Sequence, residues 1–145
     1  ARIKDPLFIS VLNGSFMFSS DIMKKITLPN TEISFVKLSS YSGTQTTGEV
    51  SELIGLNQDL KGRNVIILED IIDTGITLEK IISLLEKEEV SDIKVATLLF
   101  KPDAYTKDIP IDFIGKSIPN DFVVGYGLDY DEIGRNLPHI FKLKN

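Results

Sequence analysis

This 145-residue sequence predicts an α/β fold, a mainly parallel twisted sheet flanked by helices. Three observations carry that expectation. Val65, Ile66, Ile67 and Leu68 form the uninterrupted apolar run that a strand buried on both faces requires. Leu78, Ile81, Ile82 and Leu85 then recur at spacings of three and four, which lines one face of a helix. Strand-like and helix-like segments alternate along the chain, the order that parallel crossover units produce.

Taken in order, Leu7 to Leu12 (LFISVL) reads as a short apolar strand. Asn13 to Ser15 (NGS) turns it into a helix reaching about Ile26, with Met17, Ile22, Met23 and Ile26 directed to the core. Pro29 and Asn30 mark a turn before a second strand, Ile33 to Leu38. Glu49 to Leu56 is a further strand candidate, and Asp59 to Arg63 turns into the apolar run, with Gly62 and Asn64 punctuating its start. Beyond the helix that follows, Ile93 to Phe100 reads as a strand, Phe113 to Gly115 as a short one, and Phe122 to Asp129 as a final strand or extended loop. No internal repeat or linker divides the chain, so residues 1–145 are expected to form a single domain. Ser39 to Gly48 (SSYSGTQTTG) is a polar, hydroxyl-rich stretch whose composition fits either a functional lid or an idle hairpin tip.

Composition narrows the function classes. With 42% hydrophobic residues the chain is globular, and its net charge of −5 argues against a basic face that holds nucleic acid. There is no cysteine, no run long enough to span a bilayer and no signal-peptide core, so a cytoplasmic protein without a membrane partner is expected. His139, the one histidine, follows Pro138 and reads as a surface or core residue, which sets aside histidine catalysis and Cys/His zinc sites.

The chemistry concentrates where the apolar run ends. Glu69 and Asp70 follow it, then Asp73, and Thr74, Gly75, Ile76 and Thr77 open the helix. That point lies at the carboxyl end of a strand and the amino end of a helix, where unpaired N–H groups and the helix dipole favour an anion. Three carboxylates would repel a lone phosphate. Ribose hydroxyls can donate to them, and a hard cation such as Mg²⁺ offsets their charge while gathering further phosphate oxygens. The pattern therefore suggests a sugar phosphate carrying a second, metal-bound phosphate. The same letters also describe an ordinary strand end followed by a helix N-cap.

The segment Glu69 to Thr77, EDIIDTGIT, resembles the phosphoribosyl-pyrophosphate (PRPP) loop of the type I phosphoribosyltransferases, and closely that of the hypoxanthine-guanine phosphoribosyltransferase family. Four further segments resemble that family in the same order: LNGSFMF at Leu12 to Phe18, Ser40 and Tyr41 in the polar loop, TLLFKPD at Thr97 to Asp103, and IPNDFVVGYGLDYDEIGR at Ile118 to Arg135. The resemblance covers about Phe8 to His139. It implies the type I fold with a small base-binding hood, and a flexible lid carrying Ser40 and Tyr41 between two antiparallel strands. Family members carry a further, largely helical segment before the first strand, which is expected to be absent from this chain.

The resemblance also implies an activity, purine salvage: a pentosyltransferase moving phosphoribose from PRPP to N9 of hypoxanthine or guanine, giving IMP or GMP and pyrophosphate. It implies Mg²⁺ as cofactor and a homodimer or homotetramer. Asp73, Thr74, Gly75, Ile76 and Thr77 would enclose the 5′-phosphate, and Asp73 would also exchange a proton with N7 of the purine. Glu69 and Asp70 would face the ribose or its metal, with Asp129 in the metal shell. Asn13, Gly14 and Arg135 would hold pyrophosphate. Family members usually place Lys or Arg at the position of Asn13, so the role implied here falls on the backbone N–H groups, and a cis peptide between Leu12 and Asn13 is implied with it. Lys101 would donate to O6 of the base, Phe122 would stack on it and the Val123 backbone would pair with its edge. Without the resemblance, Lys101 reads as a solvated strand-end lysine and Phe122 and Val123 as core. Two alternatives remain open: a xanthine-preferring transferase, and a non-catalytic PRPP-sensing regulator.

Overall fold

A computed structural model describes residues 3–40, 50–54 and 59–144 of the chain. Strands β1 (Leu7–Leu12), β2 (Glu32–Ser40), β3 (Val50–Ile54), β4 (Asn64–Ile72), β5 (Asp92–Phe100) and β6 (Phe113–Ser117) form one sheet. Its order is β3-β2-β1-β4-β5-β6. The five strands from β2 to β6 in that order are parallel, and only β3, on the outer side of β2, is antiparallel. Helices α1 (Phe16–Met23) and α2 (Ile76–Lys87) follow β1 and β4. A separate two-stranded unit pairs β7 (Val123–Val124) with β8 (Phe141–Lys142) and forms the hood. The expected α/β architecture is therefore present. Among the described residues no helix is long and apolar enough to cross a membrane.

The apolar run divides its side chains between two cores, as a strand's period of two demands. Val65 and Ile67 join Leu7, Ile9 and Val95 against Leu78, Ile81 and Leu85 of α2. Ile66 and Leu68 join Phe8 against Phe18 of α1 on the opposite face. Helices on both faces are what allow β4 to be apolar throughout.

Several boundaries differ from the sequence expectation. Strand β4 does not stop at the acids but carries Glu69 and Asp70 within it, because its ladder to β5 continues to the Ile72–Phe100 pair. Helix α1 ends at Met23 rather than near Ile26. Its exit tightens through i,i+3 bonds, Lys25 N–H to Ile22 O at 2.9 Å and Ile26 N–H to Met23 O at 3.3 Å. Ile22, Met23 and Ile26 still pack on the core, but its buried helical anchor is Phe18, and Met17 stands outside that cluster. Of Phe122–Asp129, expected as a final strand or extended loop, only two residues pair in a ladder. The rest folds into successive tight turns, closed by bridges Gly125–Leu128 and Tyr130–Ile133. Their central residues, Tyr126 with Gly127 and Asp131 with Glu132, all have positive φ, the signature of type I′ turns.

Topology decides where a ligand fits. The chain leaves β1 toward β2 on one side and leaves β4 toward β5 on the other, yet β1 and β4 are neighbours. A crevice opens outside their carboxyl ends at such a switch point.

Candidate functional site at the switch point

A cavity of about 520 Å³ occupies that crevice. The turn after β1, the end of β4, the first turn of α2, and Asp129 with Arg135 of the hood line it. A larger groove of about 890 Å³ runs along the flank of α2 beside residues 106–112. No strand end delivers buried acids there, so the smaller cavity is the candidate site.

One wall is the loop Asp73–Gly75 and the start of α2. Gly75 has φ +95°, and a Cβ on it would stand 2.6 Å from the Tyr105 ring. No side chain caps α2, and the hydroxyl of Thr74 lies 3.5 Å from Ile76 N–H. Thr74, Ile76 and Thr77 are exposed. The first-turn amides thus face open space with the helix dipole behind them, a ready anion cradle. Residues 104–109, which the sequence reading overlooked, buttress the loop from behind. Thr106 donates to the Thr74 carbonyl from N–H at 3.1 Å and from its hydroxyl at 3.2 Å, while Tyr105 donates to Ile109 O at 2.6 Å.

The floor is acidic. Glu69 is only 5% exposed, and burial, then the neighbouring Asp70 charge, raises its carboxyl well above the usual range. Burial also pushes Asp70 up to about 6, against backbone hydrogen bonds and the Arg135 guanidinium that lower it, with Asp129 adding repulsion. Two carboxyls whose charged forms are disfavoured therefore lie side by side with little counter-charge.

The opposite wall joins the turn after β1 to the hood. The Leu12–Asn13 peptide is cis, as the resemblance implied. An ideal Cβ on Gly14 would lie 1.9 Å from Asp70 Oδ2, and one on Gly127 would lie 2.2 Å from the Gly14 carbonyl oxygen. Gly127 also has φ +99°. Arg135 is held over this junction by donating to the Gly127 carbonyl at 2.9 Å, with Asp129 Oδ2 3.6 Å and Glu132 Oε2 3.4 Å away. Tyr126 donates its hydroxyl to Asp21 of α1, and burial, then that bond, pushes the phenol up to about 12.

The remaining expected residues fall into a second group. Lys101, 7% exposed at the end of β5, has Nζ 3.3 Å from Asp73 Oδ2, so the structure brings these two together. Its N–H donates to Ile72 O at 3.0 Å, which fixes the lysine to the end of β4. Phe122 is 54% exposed and meets Tyr130 edge to face, with ring centroids 5.9 Å apart. Neither Lys101, Phe122 nor Val123 lines the 520 Å³ cavity. Phe122 is thus no core residue but part of an exposed aromatic platform on the hood. Ser40 ends β2, which pairs antiparallel with β3 as expected of strands flanking a lid. Tyr41 lies outside the described residues, as do the side chain of Ser40 and most of the polar loop.

Sequence reasoning passed over Gly127, Tyr126 and Asp21. The GYG triplet at Gly125–Gly127 was a usable signal, since paired glycines mark backbone that must turn or approach closely. Nothing in the sequence links Tyr126 to Asp21.

Comparison with known proteins is consistent with this geometry. Residues 1–131 match the phosphoribosyl transferase domain family. A hypoxanthine-guanine phosphoribosyltransferase of Staphylococcus epidermidis is 46% identical over 137 residues, 94% of this chain and 76% of the relative; one from Staphylococcus aureus is 45% identical over the same spans. The chain thus spans about three quarters of those relatives' length. Among solved structures, a hypoxanthine phosphoribosyltransferase from S. aureus superposes with a TM-score of 0.90 at 44% identity, covering 97% of this chain and 77% of the other. The Trypanosoma cruzi hypoxanthine phosphoribosyltransferase in complex with the product IMP superposes with a TM-score of 0.88 at 35% identity, covering 97% and 76%.

Two outcomes follow from the junction and its acids. Gly127→Ala adds a Cβ at positive φ against a backbone oxygen, and is expected to lower unfolding stability by about 2–4 kcal/mol in urea titrations followed by circular dichroism. Asp70 carries a folded-state pKa above its unfolded value, so the folded state binds more protons between about pH 4 and 6 and loses stability as pH rises through that window. Asp70→Asn removes the loss. The ligand-free variant should be more stable than the parent by about 1–3 kcal/mol at pH 8, with the gap closing toward pH 4; a parent whose stability rises steadily from pH 4 to 8 contradicts this.

Proposed function

The chain belongs to the phosphoribosyltransferase family, in its hypoxanthine-guanine branch, and from that premise we propose a role in the transfer for each part of the site. It is a purine-salvage enzyme, a pentosyltransferase that moves the phosphoribosyl group of PRPP to N9 of hypoxanthine or guanine, giving IMP or GMP and pyrophosphate. The observation that carries the assignment of parts is the convergence of an uncapped α2 terminus, the buried Glu69 and half-buried Asp70, and the turn after β1 around one cavity.

The 5′-phosphate sits on the α2 terminus, with Thr74, Gly75, Ile76 and Thr77 around it and Asp73 at its edge. Glu69 and Asp70 take the ribose hydroxyls as donors. Pyrophosphate rests on the N–H groups of Asn13 and Gly14 under Arg135. As the bond from C1 to the pyrophosphate oxygen breaks, the electron pair stays with that oxygen, and these donors stabilise the charge where it develops. N9 of the purine closes on C1 with its own pair, and the proton leaves N7 for the Asp73 carboxylate. Lys101 donates to O6, a contact that adenine, with an amino group at that place, does not accept. Phe122 supplies a face for the ring and the Val123 backbone meets its edge. Ser40 and Tyr41 close the site against water, which would otherwise capture the ribosyl cation.

The donor set suits Mg²⁺: Glu69, Asp70 and Asp129 offer only hard oxygens, and a cation would offset the burial, and the smaller repulsion, that lift the Glu69 and Asp70 carboxyls. Among the described residues no three such ligands form a ready cage, which fits an ion shared with substrate oxygens. Bound there, Mg²⁺ would neutralise charge on the diphosphate and the acids together. The working unit is a single domain that associates as a homodimer or homotetramer.

A panel of hypoxanthine, guanine, xanthine and adenine with PRPP and Mg²⁺ tests the base side. Nucleotide is expected from the 6-oxopurines, and turnover of adenine alone would sink the role of Lys101. A xanthine preference would show in the same panel, and tight PRPP binding without product from any base would support a sensor. Asp73→Asn is expected to cut kcat by at least about a hundredfold; turnover within twofold of the parent would exclude Asp73 as the proton acceptor.

A further inference from the structure

Three serines beneath the turn after β1 take no part in the chemistry assigned above, yet they are among the most deeply buried polar residues. Ser10 and Ser15 are 0% exposed and Ser19 is 2% exposed. Ser10 Oγ lies 2.7 Å from Ser15 Oγ and 2.7 Å from Ser19 Oγ, and the Ser15 hydroxyl donates to the Val11 carbonyl.

The direction of this chain of hydroxyls follows from counting protons. Each serine has one to donate. That of Ser15 is committed to Val11, so Ser10 donates to Ser15; Ser10 then has none left, so Ser19 donates to Ser10. The relay runs from α1 through β1 and ends on the backbone at Val11, the penultimate residue of β1, just before the turn. Ser15 stands at the N-cap of α1 without capping it. Its side chain instead straps the turn across its base, while Phe16 N–H donates to Asn13 O at 3.2 Å inside it.

Asn13 brings no charge to a diphosphate, so within this turn the attraction falls on the amides of Asn13 and Gly14, with Arg135 reaching in from the hood. Backbone donors of this kind act only when their orientation is set before the ligand arrives. We propose that Ser15, backed by Ser10 and Ser19, is a positioning residue for pyrophosphate, its hydroxyl strap holding the Asn13 and Gly14 amides in an anion-binding arrangement. The inference rests on the transferase reading and adds to it the device that lets an uncharged loop hold a diphosphate. A relay wanted only for packing could be replaced by alanine with no effect on one substrate rather than the other.

That asymmetry is the test. Binding of magnesium pyrophosphate is measured by calorimetry, with KM for PRPP and for hypoxanthine measured separately. Ser15→Ala should weaken pyrophosphate about tenfold and raise the PRPP KM similarly, leaving the hypoxanthine KM within twofold. Ser10→Ala, which keeps the strap to Val11 but removes the hydroxyl that backs it, should show an intermediate loss. Val95→Ala, in the β5 core away from the turn, lowers the melting temperature without altering pyrophosphate affinity. Unchanged pyrophosphate binding in Ser15→Ala, or an equal loss in Val95→Ala, overturns the proposal; if Ser15→Ala does not fold, unchanged binding in Ser10→Ala overturns it. A parent that makes no nucleotide and binds no pyrophosphate refutes the transferase reading itself, a result visible before any variant is made.

Discussion

The site depends on a junction that has no space for a Cβ. Gly14, Asp70 and Gly127 come from the turn after β1, the end of β4 and the hood, and they meet at van der Waals limits: an ideal Cβ would fall 1.9 Å from Asp70 Oδ2 at Gly14 and 2.2 Å from the Gly14 carbonyl at Gly127. Close packing transmits displacement, so moving any one of the three moves the others. Arg135 donates to the Gly127 carbonyl and Tyr126 reaches Asp21 on α1. Hood, helix and strand are registered against one another through this contact.

The junction also explains how a small hood can serve a reaction centred on the sheet. Beyond β7 and β8 the hood holds two tight turns, and a bulky residue, Tyr126, adopts φ +50° in one of them. A conformation of that kind persists where the surroundings over-determine it, and such places gather at functional sites. Here the surroundings are the Asp21 carboxylate and the Gly14 backbone. Asp129 and Arg135 belong to the same run of turns, and Arg135 is tied to it by its bond to the Gly127 carbonyl.

Electrostatics in the free protein work against stability. Glu69 and Asp70 are held where burial, with repulsion from Asp70 on the first and from Asp129 on the second, disfavours their charged forms, and at Asp70 Arg135 offsets only part of that. A fold selected for stability alone would carry amides or apolar residues there. Lys101 and Asp73, the pair proposed for the purine side, differ, since they already face one another at 3.3 Å. In the roles proposed above, the ribose and metal side thus stores unfavourable energy that a cation would relieve, whereas the base side is paired before a base arrives.

What the sequence by itself determined was local: the apolar run of β4, the face of α2, the loop from Asp73 to Thr77 and the resemblance that links five separated segments. These are legible because periodicity and turn chemistry act over a few residues. Even so, β4 runs through Glu69 and Asp70 instead of stopping before them, because its pairing with β5 outlasts its apolar stretch. Only the tertiary structure decided that β1 and β4 are neighbours, that Gly127 rests on Gly14, that Lys101 meets Asp73 and that Tyr126 meets Asp21 across 105 positions. Strand order and close approach depend on how both faces of the sheet are covered at once, and no local pattern carries that information.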